Sequence, residues 1–185
     1  MLVNCPPPIV ARLKLRYGEP HRRYHTWAPV EACLAARARI APNAAPEVDL
    51  ALLFHDAIYD PRAHDNEERS ATLMIEECKG LDEALVQRAV PLVLATKHAA
   101  TPETEEARIV VDADLSILGA DAATFDAYER DVRAEYAFVD DAAFATARAR
   151  VLRAFLDRDT IYGTSAARAL WEAAARANLE RSLGR

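Results

Sequence analysis

Glycine almost never interrupts this sequence. Only 5 of 185 residues are glycine, while alanine, leucine, arginine and glutamate, all good helix formers, recur throughout. No stretch alternates apolar and polar residues as a half-buried strand does, and no Asn-Gly or Asp-Gly pair marks a hairpin. No internal repeat and no low-complexity linker is visible. The expected fold class is therefore all-α. The length suits a single domain over residues 1–185, and a hydrophobic fraction of 51% is enough to build a sizeable core.

Apolar periodicity and punctuation predict nine helices. The first runs from about Pro8 to Tyr17 and stops at Gly18. The second starts near Thr26 and carries Val30, Cys33, Leu34 and Ile40. The third spans about Pro46 to Ile58, with Val48, Leu50, Leu52, Leu53 and Phe54 mostly buried. A fourth begins near Asp65, where Asp65 and Glu68 have capping-box spacing, and ends at Lys79-Gly80. The fifth covers Asp82 to about His98, kinked at Pro91. The sixth covers Glu105 to Leu118 and stops at Gly119. Helices near 121–138, 140–157 and 165–183 complete the chain.

The net charge of -6 argues against a nucleic-acid polymer or a membrane surface as partner. It leaves room for a small phosphorylated molecule, because a local basic patch can hold a phosphate in an acidic protein. The three cysteines, Cys5, Cys33 and Cys78, are odd in number and widely spaced. They give no disulfide framework and no zinc ribbon, and are read as ordinary reduced thiols. The N-terminal stretch MLVNCPPPIVARLKLRYG lacks the apolar run of a secretory signal, and no stretch approaches the ~20 apolar residues of a membrane span. The cytoplasm is the expected compartment.

Two places carry chemistry. His55-Asp56 closes the apolar run ALLFHD. Neighbours on a helix point about 100° apart, so both reach one ion only near a helix end or in a concave wall. Imidazole nitrogen with carboxylate oxygen suits a borderline divalent metal. Asp112 and Asp114 stand in the apolar segment VVDADLSILG, where an ionised carboxylate is costly unless paired or metal-bound. Being two apart, only one faces a given site. From the residues alone, an arginine partner accounts for either aspartate as well as a metal does. His98 reads equally as a helix-end histidine favoured by the dipole or as a site-lining group. His21, beside Arg22 and Arg23, reads as a solvated basic loop. Trp27, Trp171, Tyr128, Tyr136 and Tyr162 read as core or interface.

The blocks RYGEPHRRYHT, LALLFHDAIYDPRAHDNEERSA, LVLATKH, VDADLSILGA, DVRAEY and VLRAFLDRDTIYGT together resemble a bacterial family of predicted metal-dependent HD-superfamily phosphohydrolases. Their order also echoes, over a shorter span, the catalytic domains of cyclic-nucleotide phosphodiesterases. The resemblance implies an HD-domain helical bundle with additional C-terminal helices. It implies one divalent metal (Mn, Ni, Co, Fe, Zn or Mg, the identity left open) held by His55, Asp56 and Asp114 rather than Asp112. It further implies catalytic roles for His25, as proton donor to a leaving group, and for Asp56, Lys97 and His98. Arg23, Glu68 and Arg69 are candidate substrate contacts, and a small phosphate ester, nucleotides included, is the expected substrate.

One departure stands out. Related sequences read YHxxxHI, and their second histidine is the metal ligand. Here His25 matches the first, and Pro29 occupies the ligand position. Proline binds no metal, although it is tolerated in a first helical turn. Two readings stay open: an enzyme with three protein ligands, or with His25 swung in as a fourth; and a degenerate HD module that binds a nucleotide or partner without turnover. A purely structural helical oligomer would leave Asp114 unexplained, and a homodimer is left open.

Overall fold

The computed structural model describes residues 5–184, and among these residues the chain is helical with no strand. Nine α-helices follow in order among them: α1 (Pro7–Tyr17), α2 (Trp27–Ile40), α3 (Pro46–Phe54), α4 (Asn66–Glu77), α5 (Glu83–Ala95), α6 (Glu105–Asp114), α7 (Ala122–Glu135), α8 (Asp141–Leu156) and α9 (Ser165–Ser182). A 3₁₀ turn, Leu115–Gly119, joins α6 to α7.

Local chemistry sets most starts. Pro7 and Pro46 occupy first-turn positions of α1 and α3, where the missing amide hydrogen costs nothing. Asp82, Thr104, Asp121, Asp140 and Thr164 each accept a first-turn backbone N–H at the head of α5, α6, α7, α8 and α9, and each such cap is worth about 1 kcal/mol. Asp65 departs from the capping-box expectation. Its backbone (φ -124°, ψ 25°) is not extended and its side chain makes no cap bond; it lies 3.8 Å from Arg69 instead.

Four helices end earlier than their periodicity suggests. The third stops at Phe54 rather than Ile58, the fifth at Ala95 rather than His98, the seventh at Glu135 rather than Phe138, and the sixth at Asp114, where the chain tightens into the 3₁₀ turn. His98 has a left-handed backbone (φ 54°), which no helix accommodates. Gly119 serves close packing: a Cβ there would lie 2.5 Å from Trp171 Cβ and 2.9 Å from Trp171 O. Its lack of a side chain lets α9 lie directly on the 3₁₀ turn.

α3 is the hub, packed against α2, α4, α5 and α6. Every residue from Glu47 to Phe54 is buried, as expected for a helix apolar on most sides. Its two carboxylates find partners: Glu47 accepts from Arg88 at 2.8 Å, and Asp49 from Arg37 at 2.7 Å. Beyond α6, α9 covers the 3₁₀ turn and contacts α8. No helix among the described residues is long and apolar enough to cross a membrane. Cys5, Cys33 and Cys78 are free thiols.

Candidate metal centre

Because α3 stops at Phe54, His55 and Asp56 stand in the turn that leaves it, and both face one point. His55 Nδ1 lies 2.9 Å from the carbonyl of Leu52, one turn back. That contact orients the ring and turns Nε2 toward the two carboxylates. Nε2 lies 3.1 Å from Asp56 Oδ2 and 3.5 Å from Asp114 Oδ1. The other oxygen of Asp114 lies 3.0 Å from His98 Nε2, and His98 Nδ1 is buried without a hydrogen-bond partner. Among the described residues, one ligand atom each from Cys33, His55 and Asp114 lie within 4.8 Å of one another.

The electrostatics are those of a site short of positive charge. No lysine or arginine pairs with Asp56 or Asp114 among the described residues; only imidazoles do. Burial alone would raise both carboxyl pKa values. For Asp56 the neighbouring His55 and His25 charges outweigh burial and hold it below the usual range. For Asp114 hydrogen bonds from His55 and His98 do the same. In return, His55 would lose its proton through burial, but the Asp56 charge and the Asp114 contact keep its pKa well above the ordinary value. Burial pushes the Cys33 thiol up to about 12. A divalent cation held by His55, Asp56 and Asp114 would offset the two carboxylates and compete with a proton for the imidazole.

The adjacent aspartate has a different task. Asp112 accepts the backbone N–H groups of Gly163 and Thr164, both at 2.7 Å, and so anchors the head of α9. The two-residue offset sends Asp112 to the scaffold and Asp114 to the His55 cluster.

His25 lies in the loop before α2. Its ring stacks on Tyr59 at 3.8 Å between centroids, and its Nδ1 is 2.6 Å from Glu135 Oε2. The Glu135 side chain is fully buried, and its other oxygen accepts the backbone N–H groups of Arg23, Tyr24 and His25 at 2.8–2.9 Å. Burial would raise the Glu135 pKa, but the His25 hydrogen bond and those amides hold it down at about 2. This loop is tied to the His55-Asp56 turn by Arg22. The buried guanidinium donates to the carbonyls of His25 (2.9 Å), Asp56 (2.7 Å) and Ala57 (3.0 Å).

A cavity of about 700 Å³ opens over the cluster. Asp56, Asp114, His98, His25 and Lys97 all line it. Phe144, Val151 and Phe155 of α8 form an apolar side, with Arg150 and Arg158 near them. Lys97 Nζ is held by Glu68 and by the carbonyl of His64, so Glu68 meets the cavity only through that lysine. Arg23 and Arg69 do not line it. Arg23 donates to the carbonyls of Pro20 and Arg22, and Arg69 faces Asp65.

Sequence reasoning missed Glu135, Arg22 and the cavity faces of Tyr24, Tyr59, Tyr128 and Tyr136. Glu135 stands in DVRAEY as one more helical glutamate, with nothing local to mark it. Arg22 sits in a basic loop that reads as solvated yet is 3% exposed. No protein-family model, no curated protein and no solved structure matches the chain.

Proposed function

We propose that this chain is a metal-dependent phosphohydrolase of HD type acting on a small phosphate ester, nucleotides included. The observation that carries the reading is the meeting of His55, Asp56 and Asp114 with no lysine or arginine among the described residues to neutralise the two carboxylates, beside a cavity that Asp56, Asp114, His25 and Lys97 line. His55, Asp56 and Asp114 would hold the metal, which when bound polarises a phosphoryl oxygen and acidifies water. Asp56 orients the attacking water and accepts its proton. His25, with Nδ1 fixed by Glu135, presents Nε2 and protonates the departing oxygen. Lys97 offsets charge that develops on the phosphoryl group. The apolar side of α8 excludes water and packs the rest of the substrate.

Elemental analysis combined with a phosphatase panel under Mn²⁺, Ni²⁺, Co²⁺ and Mg²⁺ tests the proposal. The expected result is stoichiometric metal and turnover that His55→Ala abolishes. Absence of turnover with every metal overturns it.

A second reading is favoured by one observation, the proline at position 29 in the first turn of α2. On this reading the chain binds a phosphorylated ligand without turning it over. Pro29→His separates the two: activity gained over an inactive parent supports a binding module, and an active parent removes that reading.

A further inference from the structure

We propose that Cys33 is a protein ligand of the metal centre, which makes the site a mixed sulfur, nitrogen and oxygen set selective for zinc-like ions over magnesium. The inference rests on the metal reading above and names a ligand that the reading lacks.

Cys33 is 4% exposed and lies on the face of α2 that packs against α6. Its sulfur, a His55 ring nitrogen and an Asp114 carboxylate oxygen all lie within 4.8 Å of one another. At the tetrahedral angle, donors ~2.3 Å (sulfur) and ~2.1 Å (nitrogen or oxygen) from one zinc-like ion lie ~3.6 Å apart. His55 Nε2 and Asp114 Oδ1 already stand 3.5 Å apart, and side-chain movement on the order of 1 Å brings the sulfur onto the same cation. Position 29, four residues earlier on the same helix, is proline and offers no donor. Residues four apart share a helix face, so α2 still contributes a ligand, one turn deeper. The thiol packs in the core and forms no disulfide, which leaves its sulfur free to bind a cation.

The donor chemistry sets the selectivity. Thiolate is a soft ligand that favours Zn²⁺, Co²⁺ or Ni²⁺, whereas Mg²⁺ prefers an all-oxygen set with several waters. Coordination would deprotonate the thiol, so loading the site releases a proton from Cys33 as well as from His55.

The experiment is a Co²⁺ titration of the metal-free protein followed by optical absorption. Parallel titrations use Cys33→Ser, Cys33→Ala and His55→Ala, each checked for helicity and melting temperature. The expected result is a sulfur-to-cobalt charge-transfer band in the near ultraviolet that reaches its plateau at one equivalent. Both Cys33 variants lose the band while keeping visible ligand-field absorption, and they bind Co²⁺ at least tenfold more weakly. Wild-type protein that binds Co²⁺ with ligand-field absorption and no sulfur band overturns the Cys33 assignment and leaves the metal reading standing. A band that survives in both Cys33 variants also overturns it. Wild-type protein that binds no Co²⁺ overturns both.

Discussion

The guanidinium of Arg22 donates to the main-chain carbonyl of Asp56 at 2.7 Å. Through this bond and its neighbours to His25 and Ala57, one buried side chain sets the distance between the His25 loop and the turn bearing His55. Arg22→Lys keeps the charge but loses the planar fork that serves three carbonyls. The expected cost is about 2–4 kcal/mol, with a loss of kcat/KM larger than for a variant of equal stability elsewhere. Chemical denaturation and steady-state kinetics on the same preparations check this. Activity retained by Arg22→Lys at lowered stability would restrict Arg22 to a structural role.

Glu135 orders the same loop from the opposite side. Its pKa of about 2 lies below the ~4.3 of a free glutamate. A carboxyl depressed on folding stabilises the protein above its unfolded pKa, and that stabilisation is lost as the pH falls from ~4.3 toward the folded value. The lost contribution is on the order of 3 kcal/mol. Glu135→Gln should flatten the acid limb of the stability curve. It should also lower kcat within the ~10²–10⁴-fold that a positioned proton donor contributes, since an amide nitrogen cannot accept the His25 proton. Stability measured against pH, together with the pH profile of kcat, reads both effects.

Asp112 and Asp114 should respond differently to removal. Asp112→Ala strands the amides of Gly163 and Thr164, at a cost of about 2–4 kcal/mol, and leaves metal binding intact once the protein is folded. Asp114→Ala removes the proposed ligand together with the carboxylate that His55 and His98 pair with, so it should abolish stoichiometric metal and lower metal-free stability as well. Thermal melts with and without chelator, paired with elemental analysis, distinguish the two.

His98 holds a left-handed backbone (φ 54°) while contacting Asp114. An ordinary side chain there costs ~1–2 kcal/mol. His98→Gly should therefore be more stable than His98→Ala by about 1 kcal/mol, with activity lowered equally in both. Denaturation midpoints and kcat for the pair measure it. Equal stabilities would mean that the turn relaxes.

Metal and proton compete for His55. Burial works against its proton, but the Asp56 and Asp114 carboxylates raise its pKa and so favour the protonated ring when no metal is bound. One displaced proton makes Co²⁺ or Mn²⁺ affinity fall about tenfold for each unit of pH lowered. The slope doubles if the Cys33 thiol also ionises on binding. Calorimetry in buffers of differing ionisation enthalpy counts the protons directly.

Nearly all of the scaffold was legible in the sequence, because each helix carries its own punctuation. Thr104, Asp121, Asp140 and Thr164 cap starts that periodicity already marks. The helix ends were less legible where tertiary contacts decide them: Gly119 reads as a stop signal but exists to admit Trp171. Within the site, His55 and Asp56 could be picked out because a charge inside an apolar run is conspicuous; Asp114 was no more conspicuous than Asp112, and only the family resemblance favoured it. Glu135 and Arg22 could not, since their surroundings in sequence are polar and only folding buries them. Cys33 was hidden for the reverse reason: a thiol on an apolar helix face looks like any other core residue. Lys97 reaches the cavity as expected, whereas Arg23 and Arg69 turn to partners of their own.

The side chains that meet at the cluster come from widely separated stretches of chain: Cys33 in α2, His55 after α3, His98 after α5 and Asp114 at the end of α6. None of these stretches holds more than a pair of the donors. During synthesis, a ribosome-bound chain that has not yet extruded residue 114 has no pocket in which to discriminate between cations. If the cluster binds metal as proposed, cation choice would be deferred until the scaffold has closed, when its rigidity rather than the exposed reactivity of a nascent thiol would do the choosing.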